Sequence, residues 1–233
     1  MTTPIQVEIW SDVVCPWCYI GKRRFEAALA GFAHRDDVEV IYRSFQLDPS
    51  APRPGDGRPR PRTVEYLAGK YGTGEPAARI AQAEQMVAQV DAIAAADGLT
   101  YDQSAAVLTN TIDAHRLLHA ALAHGGPAVQ SALKEALLAA HFTHRQDIGD
   151  VETLVRLAVE AGLPETLARD VLAGDRHADA VRADQDMARS LGVSGVPFFV
   201  VDRRYGVSGA QPVEAFADVL TRARAEAAQA EVG

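Results

Sequence analysis

The chain has 233 residues, 48% of them hydrophobic, so it is long enough to bury a substantial core. A formal net charge of −8 argues against nucleic acid or an anionic membrane surface as a partner. No apolar run approaches a membrane span, and residues 5–9 alternate like a strand where a secretory leader would be apolar. We therefore expect a soluble, cytoplasmic protein.

The N-terminal segments predict a β-α-β unit. A strand is predicted over residues 5–10, a helix over residues 16–31 and a second strand over residues 38–45. Pro16 suits the first position of a helix, and Gly31 suits the end of one. The crossover between the two strands should be right-handed.

A loop and a long helical block follow. Residues 48–62 are rich in proline, glycine and arginine and cannot sustain a helix or an inner strand. We interpret this loop as a solvated connector; the alternative is a mobile lid whose arginines meet an acidic substrate. Seven helices are then predicted, over residues 63–71, 76–97, 109–124, 127–145, 150–161, 164–173 and 175–191.

Strand signals return near the C-terminus. Residues 197–201 and 205–208 predict a hairpin, and a last helix is predicted from Pro212. Taken in order, these elements predict an α/β protein that has a mixed sheet with flanking helices and a large all-helical insertion.

Both cysteines of the chain lie where the first strand gives way to the first helix. Cys15 and Cys18 are three positions apart and share a helix face, so their sulfur atoms can close a small disulfide. Cys15 would lie at the helix N-terminus, where unpaired backbone N–H groups and the helix dipole favour a thiolate. This context is typical of a redox motif in which Cys15 is the nucleophile and Cys18, one turn inside, is the resolving thiol.

Other interpretations of the cysteine pair stay open. Two inert core cysteines are one of them. A zinc site is another, but the chain has no further cysteine to supply a second pair of ligands. Two histidine pairs also have helical spacing, yet no HExxH-type pattern accompanies them, so we predict no metal site and interpret them as packing or surface residues: His115 with His119, and His141 with His144.

Five stretches of the sequence carry a family resemblance. They are Ser11-Asp12-Val13-Val14-Cys15-Pro16-Trp17-Cys18-Tyr19-Ile20-Gly21, Asn110-Thr111 with Ala114-His115-Arg116-Leu117, Asp147-Ile148-Gly149-Asp150, Gly195-Val196-Pro197-Phe198-Phe199-Val200, and Gly209-Ala210-Gln211-Pro212. The chain resembles the DsbA family of the thioredoxin superfamily, and most of all its FrnE-type cytoplasmic dithiol-disulfide oxidoreductases. The likeness spans nearly the full length.

This resemblance implies a thioredoxin-like fold with a four-stranded mixed sheet. Residues 1–48 and 192–233 would form one discontinuous domain, residues 63–191 would form the inserted helical domain, and residues 49–62 would connect the two. The resemblance also implies that Cys15 attacks and Cys18 resolves.

Further site residues follow from the resemblance. Pro197 would be a cis-proline in contact with the Cys15 sulfur. Asp12 and His115 could relay protons, although Asp12 could instead complement the helix dipole. We expect six residues to contact substrate, the last three of them as a site for a glutathione carboxylate: Pro16, Trp17, Val196, Gly209, Ala210 and Gln211.

The sequence thus predicts a thiol-disulfide oxidoreductase that reduces or isomerises disulfides in proteins or peptides. Glutathione could serve as a co-substrate, and we expect no bound cofactor; the chain would act as a monomer or homodimer. Trp17 stands where periplasmic oxidants of the family carry histidine, which favours reductase or isomerase activity. Two alternatives remain: a glutathione-dependent isomerase or transferase of the kappa-class or chromene-carboxylate isomerase type, and a non-catalytic holdase or binding module.

Overall fold

Four strands form one mixed sheet in the computed structural model, which describes residues 4–230. The strands are β1 (Ile5–Ser11), β2 (Val38–Ser44), β3 (Phe198–Val201) and β4 (Tyr205–Ser208). Their order is β2-β1-β3-β4, with β1 parallel to β2 and β3 antiparallel to both β1 and β4. The predicted mixed four-stranded sheet is confirmed.

Eight helices accompany the sheet in the described part of the chain. They are α1 (Pro16–Gly31), α2 (Thr63–Tyr71), α3 (Pro76–Ala96), α4 (Ile112–Phe142), α5 (Val151–Glu160), α6 (Glu165–Ala173), α7 (Ala178–Ser190) and α8 (Val213–Ala230). All six helices between β2 and β3 belong to the predicted insertion. Across residues 4–230, none of these helices has the length and apolar character that crossing a bilayer requires.

The prediction of two helices over residues 109–124 and 127–145 is confirmed at the break between them, but its outer bounds differ from those of the structure. One long element, α4, covers most of both segments and is interrupted at Gly126, whose φ of 73° and ψ of −168° are not helical. Pro127 follows that break and can begin a new turn, since its missing N–H is not needed there. The start is later than predicted because the Asn110 side chain accepts from the Ile112 N–H and holds the preceding residues outside the helix.

The alternation along β1 divides the sheet into two faces. Ile5, Val7 and Ile9 point to one face, where they join Phe25 of α1 and Phe216 of α8 in a buried cluster. On the opposite face, Trp10 packs with residues of α7, and its indole N–H donates to the Asp184 carbonyl at 2.9 Å. The sheet is therefore covered on one side by α1 and α8 and on the other by part of the helical insertion.

Helix α4 ties the insertion to the sheet edge. The side chain of Gln130, fully buried, accepts from the Tyr42 N–H and donates to the Tyr42 carbonyl, both at 2.9 Å, so it satisfies the exposed side of edge strand β2. The turn after β1 is also attached to the insertion, because Val13 packs in the apolar cluster that includes Leu117 and Leu137 of α4. The start of α1 is thus fixed between the sheet and the insertion.

The arginine-rich loop between β2 and α2 is anchored rather than free. Arg60 donates to both carboxylate oxygens of Asp147 at 2.6 Å, and Arg58 donates to Asp56 and to the Ser50 carbonyl. These guanidinium groups are engaged within the protein. This arrangement agrees with the interpretation of the loop as a connector.

Candidate active site

Cys15 occupies the N-cap position of α1. Its backbone is extended (φ −93°, ψ 113°), Pro16 begins the helix, and the Cys18 N–H donates to the Cys15 carbonyl at 3.0 Å. Neither thiol takes part in a disulfide in this structure. The Cys15 thiol lies 3.5 Å from the Val196 carbonyl oxygen, to which it can donate. The residue expected to attack is therefore next to the turn that enters β3.

The two cysteines face different surroundings. Both are buried, at 3% and 2% exposure, but Cys15 borders a cavity of about 450 Å³ whereas Cys18 does not. Burial raises the pKa of the Cys18 thiol well above its usual range, and the neighbouring Cys15 raises it further. Cys15 is consequently the thiol that a substrate can reach, and Cys18 is held as a protonated thiol behind it.

The cavity beside Cys15 lies between the start of α1 and helices α2 and α3 of the insertion. Trp17, Leu47, Tyr71 and Met86 border it and are each exposed by 39% or more. Most of the remaining wall area is apolar, and part of it comes from Leu67, Val87, Val90, Leu108 and Phe142. An exposed apolar surface that leads to a thiol is suited to binding an apolar segment of a substrate.

The Val196-Pro197 peptide bond is cis, as the resemblance predicted. The described contact with the Cys15 sulfur comes from the carbonyl of Val196, the residue before the proline. Pro197 itself packs on α1: a Cβ added at Gly21 would lie 2.8 Å from the Pro197 Cγ. Glycine at position 21 thus permits the close approach of Pro197 to α1.

Gly209, Ala210 and Gln211 lie on another side of Pro197. The Gly209 N–H donates to the Pro197 carbonyl at 2.8 Å, and the Ala210 carbonyl accepts from Arg24 at 2.7 Å. None of the three is among the described residues that border the 450 Å³ cavity. Their part in binding substrate or glutathione stays a prediction. Pro16, Trp17 and Val196, by contrast, all border the cavity.

Asp12 and His115 form a buried pair under the active-site turn. The Asp12 carboxylate accepts from the N–H groups of Val13 and Leu47 at 2.7 and 2.8 Å and lies 3.2 Å from His115 Nε2. Burial alone would raise the pKa of Asp12, but the hydrogen bond from His115, the backbone N–H of Leu47 and the nearby charge of Lys134 together lower it. Burial lowers the pKa of His115, so a neutral imidazole donates Nε2–H to a carboxylate.

Two further polar residues lie near the site: Lys134, which no sequence motif marked, and His141, which was interpreted as a packing or surface residue. Lys134 is 1% exposed and His141 is 5% exposed, and each has a nitrogen atom without a hydrogen-bond partner. His141 borders the cavity, and burial lowers its pKa to about 4, so it is neutral at pH 7. A helical pattern could have found both, because Gln130, Lys134 and His141 recur on the face of α4 that also carries Leu137.

His119, another member of the predicted histidine pairs, contacts Asp184 and Ser44. His119 lies 3.0 Å from Asp184 and 3.1 Å from the Ser44 hydroxyl, and both contacts are made by Nε2. A catalytic triad would use different ring nitrogens for the two contacts. Within residues 4–230, no group of three or more His, Cys, Asp or Glu side chains is placed to hold a metal ion.

A thiol at the N-cap of a helix, a second thiol one turn inside and a cis-proline turn beside them define a thioredoxin-fold protein with a dithiol site. Residues 6–221 match the model of the DSBA-like thioredoxin domain. The chain belongs to the DSBA-like thioredoxin domain family.

Known structures agree with this assignment. A probable DsbA oxidoreductase from Streptomyces coelicolor is 47% identical, with 95% of this chain and 91% of that chain covered and a TM-score of 0.85. The cytosolic disulfide reductase DsbM from Pseudomonas aeruginosa is 21% identical, with 94% and 98% covered and a TM-score of 0.60; it is also known with GSH. That second likeness concerns the fold alone.

A curated relative matches only in part. The uncharacterized protein YwbO of Bacillus subtilis is 44% identical over 46 residues, which are 20% of this chain and 21% of the relative. The chain therefore spans about a fifth of the length of that relative.

Proposed function

We propose that the protein reduces or isomerises disulfides in protein or peptide substrates, with Cys15 as the attacking thiol and Cys18 as the resolving thiol. The observation that carries the proposal is the asymmetry of the pair: Cys15 borders an open cavity, while Cys18 is sealed behind it. We retain the cytoplasm as the proposed compartment, because close cysteine pairs there serve catalysis more often than structure.

The proposed reaction has two exchange steps. The Cys15 thiolate attacks one sulfur of the substrate disulfide, so that a Cys15–substrate disulfide forms and the other substrate sulfur leaves as a thiolate. Cys18 then attacks the Cys15 sulfur, the Cys15–Cys18 disulfide forms, and the second substrate thiol leaves. Two electrons pass from the dithiol to the substrate. A thiol reductant such as glutathione must then restore both cysteines, and no bound cofactor is required.

The cavity supports protein or apolar peptide substrates. Among its described lining residues, Lys70 is the one lysine or arginine, and its ammonium donates to the Tyr66 hydroxyl at 2.8 Å. Glutathione carries two carboxylates, whereas the walls offer one cation and the carboxylates of Asp12 and Asp48. An apolar side chain next to a half-cystine fits these walls better than glutathione does.

The redox potential tests the direction of the reaction. Trp17 provides no imidazolium beside Cys15, so the reduced form lacks the charge stabilisation that a histidine would add. We expect a Cys15/Cys18 potential of roughly −250 to −150 mV, and higher reductase or isomerase activity than oxidase activity. The potential is measured by equilibrating the protein with glutathione buffers and determining the oxidised fraction by mass spectrometry. A potential near −120 mV, about that of a strong oxidant, would contradict the proposed direction.

The same assays separate the alternatives. A glutathione-dependent isomerase or transferase would keep its activity after Cys18→Ala and would require glutathione. A holdase would suppress aggregation equally well when both cysteines are alanine. The proposal predicts that disulfide turnover is lost in both variants.

A further inference from the structure

Lys134 is a buried cation without a partner. It is 1% exposed, its Nζ atom forms no hydrogen bond, and it lies 5.8 Å from the centre of the Tyr42 ring. Lys22, 4% exposed, shows the usual solution nearby: its ammonium lies 2.5 Å from both Glu26 and Glu135. An unpaired buried ammonium is unfavourable for folding. Its presence in α4 therefore calls for an explanation beyond stability.

Helix α4 carries Lys134 into the packing between β2 and α1. Helix α4 packs on β2 through Gln130 and on α1 through Glu135, which accepts from the Tyr19 hydroxyl at 2.6 Å. Lys134 lies between Gln130 and Glu135 along α4, and the Tyr42 ring of β2 is 5.8 Å from its ammonium. Its charge also interacts with five ionisable groups of the turn after β1, of α1 and of α4: Asp12, Cys15, Cys18, Lys22 and His115.

The charges of Lys134 and Cys18 act on each other. Burial lowers the pKa of Lys134 to about 8. Negative charge on Cys18, Asp12 and Cys15 acts in the opposite direction and raises it. In return, the ammonium lowers the pKa of Cys18, which burial has raised. The positive charge of Lys22 is neutralised by the adjacent Glu135 carboxylate. Lys134 has no hydrogen-bonded carboxylate, so its positive charge is not neutralised in this way.

We propose that Lys134 is a positioning residue whose ammonium stabilises the Cys18 thiolate during the resolving step. This inference rests on the proposed dithiol reaction. In that step Cys18 loses its proton and attacks the Cys15–substrate disulfide, and the released substrate thiol carries that proton in the products. Lys134 itself gains or loses no atom or electron in this step. Its ammonium increases the fraction of Cys18 that is a thiolate, because burial alone would keep this thiol protonated.

The test uses reduced protein and the aryl disulfide dithiobis(nitrobenzoate), which releases one coloured thiolate in each exchange step. The first release reports attack by Cys15, and the second reports resolution by Cys18. In Lys134→Met we expect the second phase to slow at least about tenfold at pH 7, because a one-unit rise in the pKa of Cys18 lowers its thiolate population tenfold. Its pH profile should move to higher pH by the same unit, while the first phase changes less.

Controls separate this role from a structural one. Lys22→Met removes an equally buried but paired ammonium and should leave the second phase and its pH profile unchanged. Lys134→Arg keeps the charge and should retain most of the wild-type second phase. Lys134→Met should also unfold at a temperature no lower than wild type, because it replaces an unpaired charge with an apolar side chain of similar length.

Two outcomes would overturn different statements. A folded Lys134→Met, or Lys134→Gln if the methionine variant does not fold, with an unshifted second phase would refute the role of Lys134 alone. A wild-type protein that shows no second phase would refute the dithiol reaction itself.

Discussion

The Cys15→Ser variant is expected to reduce protein disulfides more than about 10³-fold more slowly than wild type, because the attacking sulfur is gone and no other thiol reaches the substrate. Cys15 borders the cavity, and Cys18 is 2% exposed behind it. A serine hydroxyl cannot form the mixed disulfide. The rate of insulin reduction by excess thiol, corrected for the uncatalysed reaction, measures this loss.

Cys18→Ser is the matched control for that experiment. It should also lose turnover of substrates that need the resolving step, but it should still consume one disulfide at Cys15. Both variants should unfold close to the wild-type temperature, because each replaces sulfur by oxygen at a site of similar size. Full insulin reduction by Cys15→Ser would show that the assigned attacking residue is wrong.

Asp12→Ala is expected to lower the free energy of unfolding by about 3–5 kcal/mol, the usual effect of removing one member of a buried pair. The alanine would leave the N–H groups of Val13 and Leu47 without an acceptor and His115 without its partner. Urea denaturation measures the difference. Asp36→Ala, where a carboxylate of 96% exposure is removed, is the control and should change stability by less than about 0.5 kcal/mol.

Acid should destabilise the wild type in two stages. His115 and His141 have lowered pKa values in the folded protein, so the unfolded chain takes up their protons first and stability falls as the pH drops below about 6.5. Asp12 also has a lowered pKa; its contribution is complete above the unfolded value of 3.8 and is lost as the pH falls through the lower folded value. Other carboxylates with lowered pKa values, such as Glu135 and Asp147, contribute to the same stage. Asp12→Ala should therefore show a smaller second stage than wild type, and an identical acid limb in both proteins would contradict the ionised Asp12.

Local sequence signals were sufficient for much of the fold. The apolar alternation before Cys15 and the proline after it predicted β1 and α1, and α1 has the predicted bounds of Pro16–Gly31. Gly126 and Pro127 predicted a helix break at the correct place, although α4 continues across it. The predicted helix ends were less accurate, because side-chain hydrogen bonds such as those of Asn110 depend on contacts with distant loops.

The site was only partly predictable for a related reason. The spacing of Cys15 and Cys18 is local, so their helix-start geometry followed from the sequence. Lys134 and His141 come near the site only because α4 packs against α1. No short sequence motif around either residue predicts that contact between the two helices. The cavity walls likewise come from α2 and α3, far along the chain from the cysteines. Periodicity predicts a buried face but does not tell which helix that face will meet.

Trapping of the mixed disulfide tests the central claim most directly. Cys18→Ser, incubated with a disulfide-containing peptide and then digested under non-reducing conditions, should show by mass spectrometry a peptide disulfide on Cys15. Cys15→Ser treated in the same way should show no adduct. An adduct on Cys18 in the second variant, or none on Cys15 in the first, would contradict the assignment of Cys15 as the attacking thiol and Cys18 as the resolving thiol.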